Sequence, residues 1–255
     1  MERDTLATAL RVVEELSLAV EPRGVRELSH SLELSVGNTH RILQALKRER
    51  LVVQSGRRGQ YRSGSRLAEL AGNTLRTGTL VRASTPLIQR TAHETGESLV
   101  VMVADADEAV CVASVEGAHL LRVVFPVGWR RPLLRGASGR VLLAYQPPDA
   151  VRAALRDAKN ARAKPASAAG FMRSLAAIRG RGCGISHGER SEGFTSIAAA
   201  IVGTDNAVLA SVALYGASTR FKGAALKTQA AAVRACASAI GASIAHPQTR
   251  QRRDS

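Results

Sequence analysis

Apolar residues recur every three or four positions in three stretches near the start of the chain, the spacing of helices that bury one face. The stretches cover residues 5–18, 25–32 and 34–46. Residues 22–24, Pro-Arg-Gly, break the pattern between the first two, and Ser35 is a suitable N-cap for the third. The pattern predicts three helices, of which the second and third are joined by a tight turn, as in a helix-turn-helix.

A β-hairpin is predicted directly after the third helix. Residues 51–54, Leu-Val-Val-Gln, form a β-branched run, and residues 60–62 return after the glycine-bracketed turn Ser-Gly-Arg-Arg-Gly at residues 55–59. A helix, a helix-turn-helix and a hairpin in this order predict a winged helix-turn-helix domain at residues 1–64.

Charge is segregated between the elements of this predicted domain. Residues 34–64 hold seven basic residues against Glu49 as the one acid, whereas residues 1–33 hold four basic and seven acidic residues. The positive charge is therefore confined to the third helix and the wing, where the phosphates of DNA would lie. A solvated basic face is the alternative, and the segregation by element favours DNA binding.

The outer face of the third helix carries small, amide and basic side chains and no carboxylate. Arg41 and Asn38 are side chains that can pair bidentately with guanine and adenine, so we assign them to base edges. The basic residues of the helix and wing are assigned to phosphates. The predicted DNA-binding residues are Ser35, Val36, Gly37, Asn38, His40, Arg41, Gln44, Lys47, Arg48, Arg57 and Arg58.

Beyond the hairpin, helical spacing alternates with β-branched runs. A linker helix is predicted from Ser65 towards Thr79, and another helix opens at residues 84–86 with Pro86 in its first turn and ends near Gly96. Strands are predicted at residues 98–104, 109–115, 120–125, 183–186, 195–202 and 207–215, a loop at 126–133, and helices at 148–155, 171–180 and 222–244. This order predicts an α+β domain around an antiparallel sheet.

A glycine-rich turn opens a further helix at residues 134–144, Leu-Arg-Gly-Ala-Ser-Gly-Arg-Val-Leu-Leu-Ala. The free N–H groups at the start of a helix can hold a carboxylate without a basic side chain. Close packing of the glycine backbone against the sheet explains the same residues equally well, so both interpretations stay open.

These segments resemble the IclR family of bacterial transcriptional regulators. The resemblance is carried by Ala-Leu-Arg-Val-Val at residues 9–13, Gly-Val-Arg-Glu-Leu-Ser at 24–29, Thr-His-Arg-Ile-Leu-Gln-Ala-Leu at 39–46 and Tyr-Arg-Ser-Gly at 61–64. It continues through residues 126–144 and 181–220. The second range includes Arg-Gly at 181–182, Gly-Glu at 188–189, Gly193 and Ile-Ala-Ala at 197–199. Gly37 departs from the pattern, because such helices usually carry serine or threonine there.

The resemblance implies an α+β multidomain protein. A winged helix-turn-helix at residues 1–64 would be joined by a linker helix at 65–80, which contributes to dimerisation, to a GAF-like α/β sensor domain with an antiparallel sheet at 81–246. A disordered basic tail would follow at 247–255. The family's effector, often a small carboxylate or aromatic acid, would lie between the glycine-rich helix and the sheet.

Carried over residue by residue, the resemblance implies an effector-binding set of Leu120, Val123, Gly136, Ala137, Ser138, Ser186, Phe194, Ser196, Ala213 and Tyr215. Some relatives have an acid at Ser186, a cysteine at Ser196, and serines at Ala213 and Tyr215. These departures mean that the ligand of a better-known relative does not transfer to this chain, and both repressors and activators fit the sequence.

The composition is consistent with a DNA-binding protein and argues against a membrane span, a secretory signal, a disulfide framework and a zinc site. A formal charge of +15 and a pI near 11.1 favour nucleic acid, with an anionic membrane surface as the competitor. No apolar run is long enough for a membrane span, and the N-terminus has no secretory pattern. The three cysteines are far apart, which argues against a disulfide framework and a cysteine-rich zinc site. We expect a cytoplasmic protein without metal or cofactor.

The predicted partners are double-stranded DNA with a palindromic operator, a small-molecule effector, and a second copy of the chain in a homodimer, or in a tetramer. A palindromic operator needs a dimer because each recognition helix reads one half-site. The second hypothesis is an architectural DNA-binding protein whose sensor domain has lost its ligand.

The chain also contains a match to the nucleophile elbow of serine hydrolases, Gly-Ile-Ser-His-Gly at residues 184–188. That motif requires a strand, a sharp turn and a helix, followed by an acid and a histidine. Here the preceding apolar run is short and another strand is predicted to follow. Beyond the motif, His246 is the only downstream histidine. We therefore expect no enzyme activity, and a hydrolase using Ser186 is the third and weakest hypothesis.

Overall fold

The computed structural model describes residues 5–56, 59–157, 165, 167–189 and 192–245. The chain divides into two compact units, Met1–Thr77 and Gly78–Ser255. Of the helices in the described ranges, none combines the length and hydropathy that a membrane span requires.

The first unit is a small helical domain with a three-stranded sheet in its described part. Its elements are α1 (Thr5–Leu18), β1 (Arg23–Gly24), α2 (Val25–Ser31), α3 (Val36–Arg48), β2 (Val52–Ser55), β3 (Gln60–Ser63) and α4 (Ser65–Thr77). The antiparallel sheet has the order β1-β3-β2, so β2 and β3 form the predicted hairpin. The short β1, which pairs Arg23 with Tyr61, lies where the sequence indicated only a break between helices.

The core of the first unit explains why these segments are helices. Val12 and Leu16 of α1, Leu28 of α2, and three apolar residues of α3 pack on the buried Val52 and Tyr61 of the hairpin. The α3 residues are Ile42, Leu43 and Leu46. Each helix therefore buries the face that its apolar spacing predicted.

The second unit is built on one sheet with helices on both faces. Its elements are α5 (Thr79–Thr95), β4 (Ser98–Asp105), β5 (Glu108–Val115), β6 (Arg130–Pro132), α6 (Gly136–Ala144), α7 (Pro148–Asp157), α8 (Ala168–Arg181), β7 (Gly184–His187), β8 (Phe194–Val202), β9 (Val208–Ala217), a 3₁₀ helix (Ser218–Arg220) and α9 (Gly223–Ala245). Within the described residues the sheet is antiparallel, with the order β6-β5-β4-β9-β8-β7.

Alternation along β4 shows how both faces of the sheet are covered. Val100 and Met102 pack into a core with α6, α7 and α8, whereas Leu99 and Val101 pack into a second core with α5 and α9. Side chains that alternate across a strand therefore belong to two separate layers. The predicted α+β fold class, with an N-terminal winged helix-turn-helix and an antiparallel sheet domain, is confirmed.

The strand predicted at residues 120–125 is absent, so that prediction is wrong. These residues are irregular, and Leu120 is 98% exposed. The edge of β5 pairs instead with β6, in the segment predicted to be a loop, and the Cys111 N–H donates to the Trp129 carbonyl at 2.8 Å. Residues 130–132 therefore occupy the position beside β5 that a strand at residues 120–125 would have needed.

The helix predicted to open at Ser84 begins earlier, at Thr79, and Pro86 lies inside it. The prediction that Pro86 lies in the first turn of this helix is therefore wrong. Leu80 and Val81 of the added turn pack against the core shared with α9, and the Ser84 hydroxyl donates to the Leu80 carbonyl at 2.6 Å. Burial of this turn outweighs the helix hydrogen bond that proline cannot donate. The other predicted elements are present, with ends shifted by a few residues.

Candidate DNA-binding face and candidate effector pocket

The outer face of α3 presents most of the predicted DNA-contacting residues. Asn38 and Gln44 are half-buried, and the exposed ones are Ser35, Val36, Gly37, His40, Arg41, Lys47 and Arg48. The predicted N-cap is confirmed, because Ser35 accepts a hydrogen bond from the Asn38 N–H at 3.3 Å. Arg57 and Arg58 lie outside the described residues, so their phosphate contacts stay predictions.

The two residues assigned to base edges are bonded to each other. Arg41 Nη2 donates to Asn38 Oδ1 at 3.1 Å, across one turn of α3. This contact uses one donor of the guanidinium and the amide oxygen, while further N–H donors of both side chains stay available. The hydrogen bond holds the two side chains that are predicted to contact bases next to each other on α3.

Two side chains of α3 are tied to neighbouring residues of the hairpin. Lys47 Nζ donates to Gln54 Oε1 at 2.9 Å, and Gln44 Nε2 donates to the hydroxyl of Tyr61 at 3.1 Å. Gln54 and Tyr61 are cross-strand partners in β2 and β3. The helix and the wing are therefore fixed relative to each other within the first unit. Sequence reasoning did not identify Gln54 or Tyr61, because their role depends on strand register.

The start of α6 in the second unit holds a carboxylate of the chain itself. Gly136, with φ of +74°, donates its N–H to Glu189 Oε2 at 2.8 Å. Arg140 Nη2 lies 2.6 Å from Glu189 Oε1, and Arg135 Nη2 donates to the Glu189 carbonyl at 3.1 Å. The anion-holding property predicted for this glycine-rich start is thus used by an internal acid.

Burial alone would raise the pKa of Glu189. The Gly136 N–H, the positive charge of Arg140, the Ser186 hydroxyl and the charge of Arg131 together outweigh that effect, and the pKa of Glu189 is lowered below its ordinary value. Glu189 is therefore a carboxylate at neutral pH, which makes it an anionic partner for the arginines around it.

Three of the predicted effector-binding residues form a row across the sheet. Ser186 of β7 is paired with Ser196 of β8, which is paired with Tyr215 of β9. All three are buried. The row faces α6, because the Ser138 hydroxyl lies 3.4 Å from the Tyr215 hydroxyl. Polar groups from three strands and one helix therefore converge on one place.

A cavity of about 10 Å³ lies at this row. It is lined by Arg131, Ser186, Glu189, Phe194, Thr195, Ser196 and Tyr215. A cavity of this size holds about one water molecule. The structure thus brings four predicted residues together, and it adds Arg131, Glu189 and Thr195, which the sequence did not identify.

Arg131 is the most unusual of the added residues, because its charged side chain is only 8% exposed. Its guanidinium carbon lies 5.7 Å from the centroid of the Trp129 ring, within the range of a cation–π contact. A Cβ on Gly136 would approach its Nη1 to 2.5 Å, so a larger residue would displace the guanidinium, and the positive φ also favours glycine there. The signal available in the sequence was the run of arginines 131, 135 and 140 around the glycine-rich turn.

The remaining predicted pocket residues fall into two groups. Val123 and Ala213 are buried in the core that also holds Ala137 and Tyr215. Leu120, at 98% exposure, does not join them and is dropped from the candidate pocket wall.

Ser186 is not placed on a nucleophile elbow. It lies within β7, opposite Ser196, and the next element is the antiparallel strand β8 and not a helix. The adjacent His187 points its Nδ1 at Thr195 Oγ1, 3.0 Å away. In the described ranges, no group of three His, Cys, Asp or Glu side chains could hold a metal ion.

The chain is similar to known regulators over most of its length. Residues 5–56 match the IclR helix-turn-helix domain, and residues 72–242 match the bacterial transcriptional regulator IclR C-terminal domain. The HTH-type transcriptional regulator KdgR of Escherichia coli is 27% identical over 223 residues, which cover 86% of this chain and 85% of KdgR. The HTH-type transcriptional regulator Rv1719 of Mycobacterium tuberculosis is 30% identical over 215 residues, 79% and 81% of the two chains.

A solved structure shares the fold. The IclR homologue of Microbacterium hydrocarbonoxydans complexed with 4-hydroxybenzoate has a TM-score of 0.80 and 20% identity, covering 94% of this chain and 99% of that one. The two family matches together span nearly the whole described chain, from the winged helix-turn-helix to α9. The chain therefore belongs to the IclR family of DNA-binding transcriptional regulators, with an N-terminal helix-turn-helix domain and a C-terminal effector-binding domain.

Proposed function

We propose that this regulator binds a specific palindromic operator as a homodimer and that a small carboxylic or aromatic acid, bound between α6 and the sheet, changes its affinity for DNA. DNA binding is supported mainly by the hydrogen-bonded pair of Asn38 and Arg41 on the outer face of α3, a helix that Lys47 connects to the hairpin. A regulator of this kind would act in the cytoplasm, and we include this location in the proposal. Its assembly into dimers, or into tetramers, belongs to the same proposal.

In this proposal, Asn38 and Arg41 contact base edges, and Lys47 and Arg48 contact phosphates together with Arg57 and Arg58 of the wing. The amide and the guanidinium supply the donors that adenine and guanine accept in the major groove. Ser35, Val36, Gly37, His40 and Gln44 complete the proposed contact surface along the exposed side of α3.

Replacing Arg41 by alanine should weaken binding to the operator and relax its sequence preference. Loss of a bidentate base contact costs about 1–3 kcal/mol of discrimination. The measurement is a band-shift assay against the selected operator and single-base variants. Arg11→Ala is the matched control, because it removes the same charge from the exposed side of α1. Equal affinity and preference in Arg41→Ala and the wild type would refute the assignment of the recognition helix.

The proposed effector site consists of Val123, Gly136, Ala137, Ser138, Ser186, Phe194, Ser196, Ala213 and Tyr215. Its support is the convergence of the Ser186–Ser196–Tyr215 row with the α6 residue Ser138. A fold relative complexed with 4-hydroxybenzoate supports an aromatic acid as one ligand class. An effector alters DNA affinity only if it binds one dimer geometry more tightly than the other, so the coupling is reciprocal.

Ser138→Trp should abolish binding of small carboxylates, because the indole would fill the space beside Tyr215. Isothermal titration calorimetry with 4-hydroxybenzoate and smaller acids measures this. Ser138 is fully buried, so thermal melting must show that the variant folds. Tyr215→Phe, which removes only a hydroxyl, is the milder second variant. Equal binding by the wild type and both variants would eliminate the pocket.

One observation favours a second candidate function. The cavity of about 10 Å³ is too small for a metabolite without rearrangement, and Glu189 already accepts the Gly136 N–H at the start of α6. An architectural DNA-binding protein whose sensor domain has no ligand would have this arrangement. The calorimetric titration decides between the two, because only the regulator binds an acid.

A further inference from the structure

The start of α6 is already occupied by a carboxylate. Glu189 accepts the Gly136 N–H and pairs with Arg140. A ligand acid at this position would have to displace Glu189, whose charge would then lose both partners within a partly buried site. Breaking such a pair is strongly unfavourable. An incoming acid therefore meets a carboxylate that is already bonded to the first N–H of this helix.

Three arginines surround that single carboxylate. Arg140 forms the ion pair, Arg135 donates to the Glu189 backbone, and Arg131 acts on Glu189 at longer range. Three positive charges face this one carboxylate, and of the three arginines only Arg131 is buried, while Arg135 and Arg140 are half-buried. Buried charges are ordinarily paired, so the buried Arg131 favours a second anion.

Arg131 is the buried member of this group, and its Nε lacks a hydrogen-bond acceptor. Among the described residues, none forms an ion pair with it within 4.0 Å. Arg131 is only 8% exposed to solvent. It lines the cavity together with Ser186, Ser196 and Tyr215. A guanidinium held in this way is a built site for a carboxylate.

We propose that Arg131, and not the start of α6, binds the carboxylate of the effector. This assignment rests on the proposed function and identifies the ligand class. The hydroxyls of Ser186, Ser196 and Tyr215 line the same cavity and would bond to a hydroxyl or carbonyl group of that ligand. The effector is then a monocarboxylic acid that bears a second polar group, and its binding enlarges the cavity.

Calorimetry on the full chain tests this with formate, acetate, benzoate and 4-hydroxybenzoate, and with 4-hydroxybenzamide as the uncharged counterpart of the last. The wild type should bind 4-hydroxybenzoate more tightly than benzoate, and at least tenfold more tightly than the amide. Arg131→Met should weaken acid binding by roughly 10- to 150-fold, the loss of a charge-assisted hydrogen bond. Arg131→Lys, which keeps the charge without the planar fork, should be intermediate.

Arg130→Met is the matched control. Arg130 is the neighbouring residue on β6, and it lies on the surface in ion pairs with Asp105 and Glu108 at 2.6 Å. Its replacement should leave acid binding unchanged. Thermal melting shows whether Arg131→Met folds, and the comparison of acid with amide on the wild type needs no variant.

The outcomes separate this assignment from the proposed function. If Arg131→Met binds acids as the wild type does while Ser138→Trp does not, Arg131 is not the carboxylate site, although the pocket stands. Equal binding of 4-hydroxybenzoate and its amide by the wild type overturns the assignment in the same way. If no acid in the series binds the wild type, both the assignment and the proposed pocket fall.

Discussion

At Glu189, a single carboxylate pairs with a half-buried arginine and accepts the first N–H of α6. Its carboxylate takes a backbone N–H from Gly136 and an ion pair from Arg140, and its side chain is 20% exposed. Since these partners stabilise the charged form, they stabilise the folded second unit at neutral pH. The same residue lines the small cavity at the Ser186–Ser196–Tyr215 row.

Glu189→Gln should lower the free energy of unfolding at pH 7 by about 1–2 kcal/mol, because glutamine keeps an acceptor for Gly136 but loses the charge beside the arginines. The pKa of Glu189 is lowered in the folded state, so its contribution is present above the unfolded pKa and is lost as the pH falls through the folded pKa. Urea denaturation across this acidic range measures the difference between variant and wild type, which should shrink towards zero.

Glu94→Gln provides the control for that prediction. Glu94 pairs with Arg90 on the surface of α5, and both side chains are at least 60% exposed, so its replacement should change stability little. A Glu189→Gln effect that stayed the same at acidic and neutral pH would show that packing, and not charge, explains it.

Among the elements, α3 is held in place by a cap, a buried face and side-chain hydrogen bonds, but it contains a glycine in its first turn. Ser35 caps it, its apolar face is buried, and Lys47 and Gln44 connect it to the hairpin. Gly37 in the first turn gains nothing from packing, because a Cβ there would meet no atom within 4 Å. Glycine at this position therefore lowers the stability of the helix through its larger loss of backbone entropy on folding, and no contact within the first unit requires it.

Gly37→Ala should raise the free energy of unfolding of the first unit by about 0.4–1 kcal/mol, since alanine restricts the unfolded chain and fits the helix. Urea denaturation followed by helical circular dichroism measures it. Gly64→Ala is the contrasting control in the same unit, because its Cβ would overlap the carbonyl oxygen of Arg50 and should destabilise. Destabilisation by Gly37→Ala would mean that α3 differs from the described helix at this turn.

Local patterns predicted the first unit better than the second. Residues 5–18 and 34–46 become α1 and α3 because each buries one helical face, and the two hairpin strands follow from a β-branched run and a glycine-bracketed turn. Residues 120–125 have the same local character as a strand, but a strand also needs a free edge. That edge is filled by residues 130–132, which only the assembled sheet reveals.

On the scale of the whole molecule, most of the excess positive charge lies in the second unit and not in the unit that carries the helix-turn-helix. Residues 1–77 hold thirteen basic and nine acidic residues, a net charge of +4, whereas residues 78–255 account for +11 of the total of +15. Net charge therefore did not identify the DNA-binding element. The segregation of charge between α1–α2 and α3 with its wing is the informative feature, because phosphate contacts depend on local charge.

The sequence by itself determined the helices and the hairpin of the first unit, the α+β class of the second, and the resemblance to the IclR family, since all depend on periodicity and short motifs. It also placed Ser186, Ser196 and Tyr215 in the candidate pocket, through the resemblance. The tertiary structure alone brought Glu189 to the start of α6 and buried Arg131 beside it. Arginines 131, 135 and 140 could be seen around the glycine-rich turn, but not which of them is buried, because that environment is made by strands and helices that meet only when the chain folds.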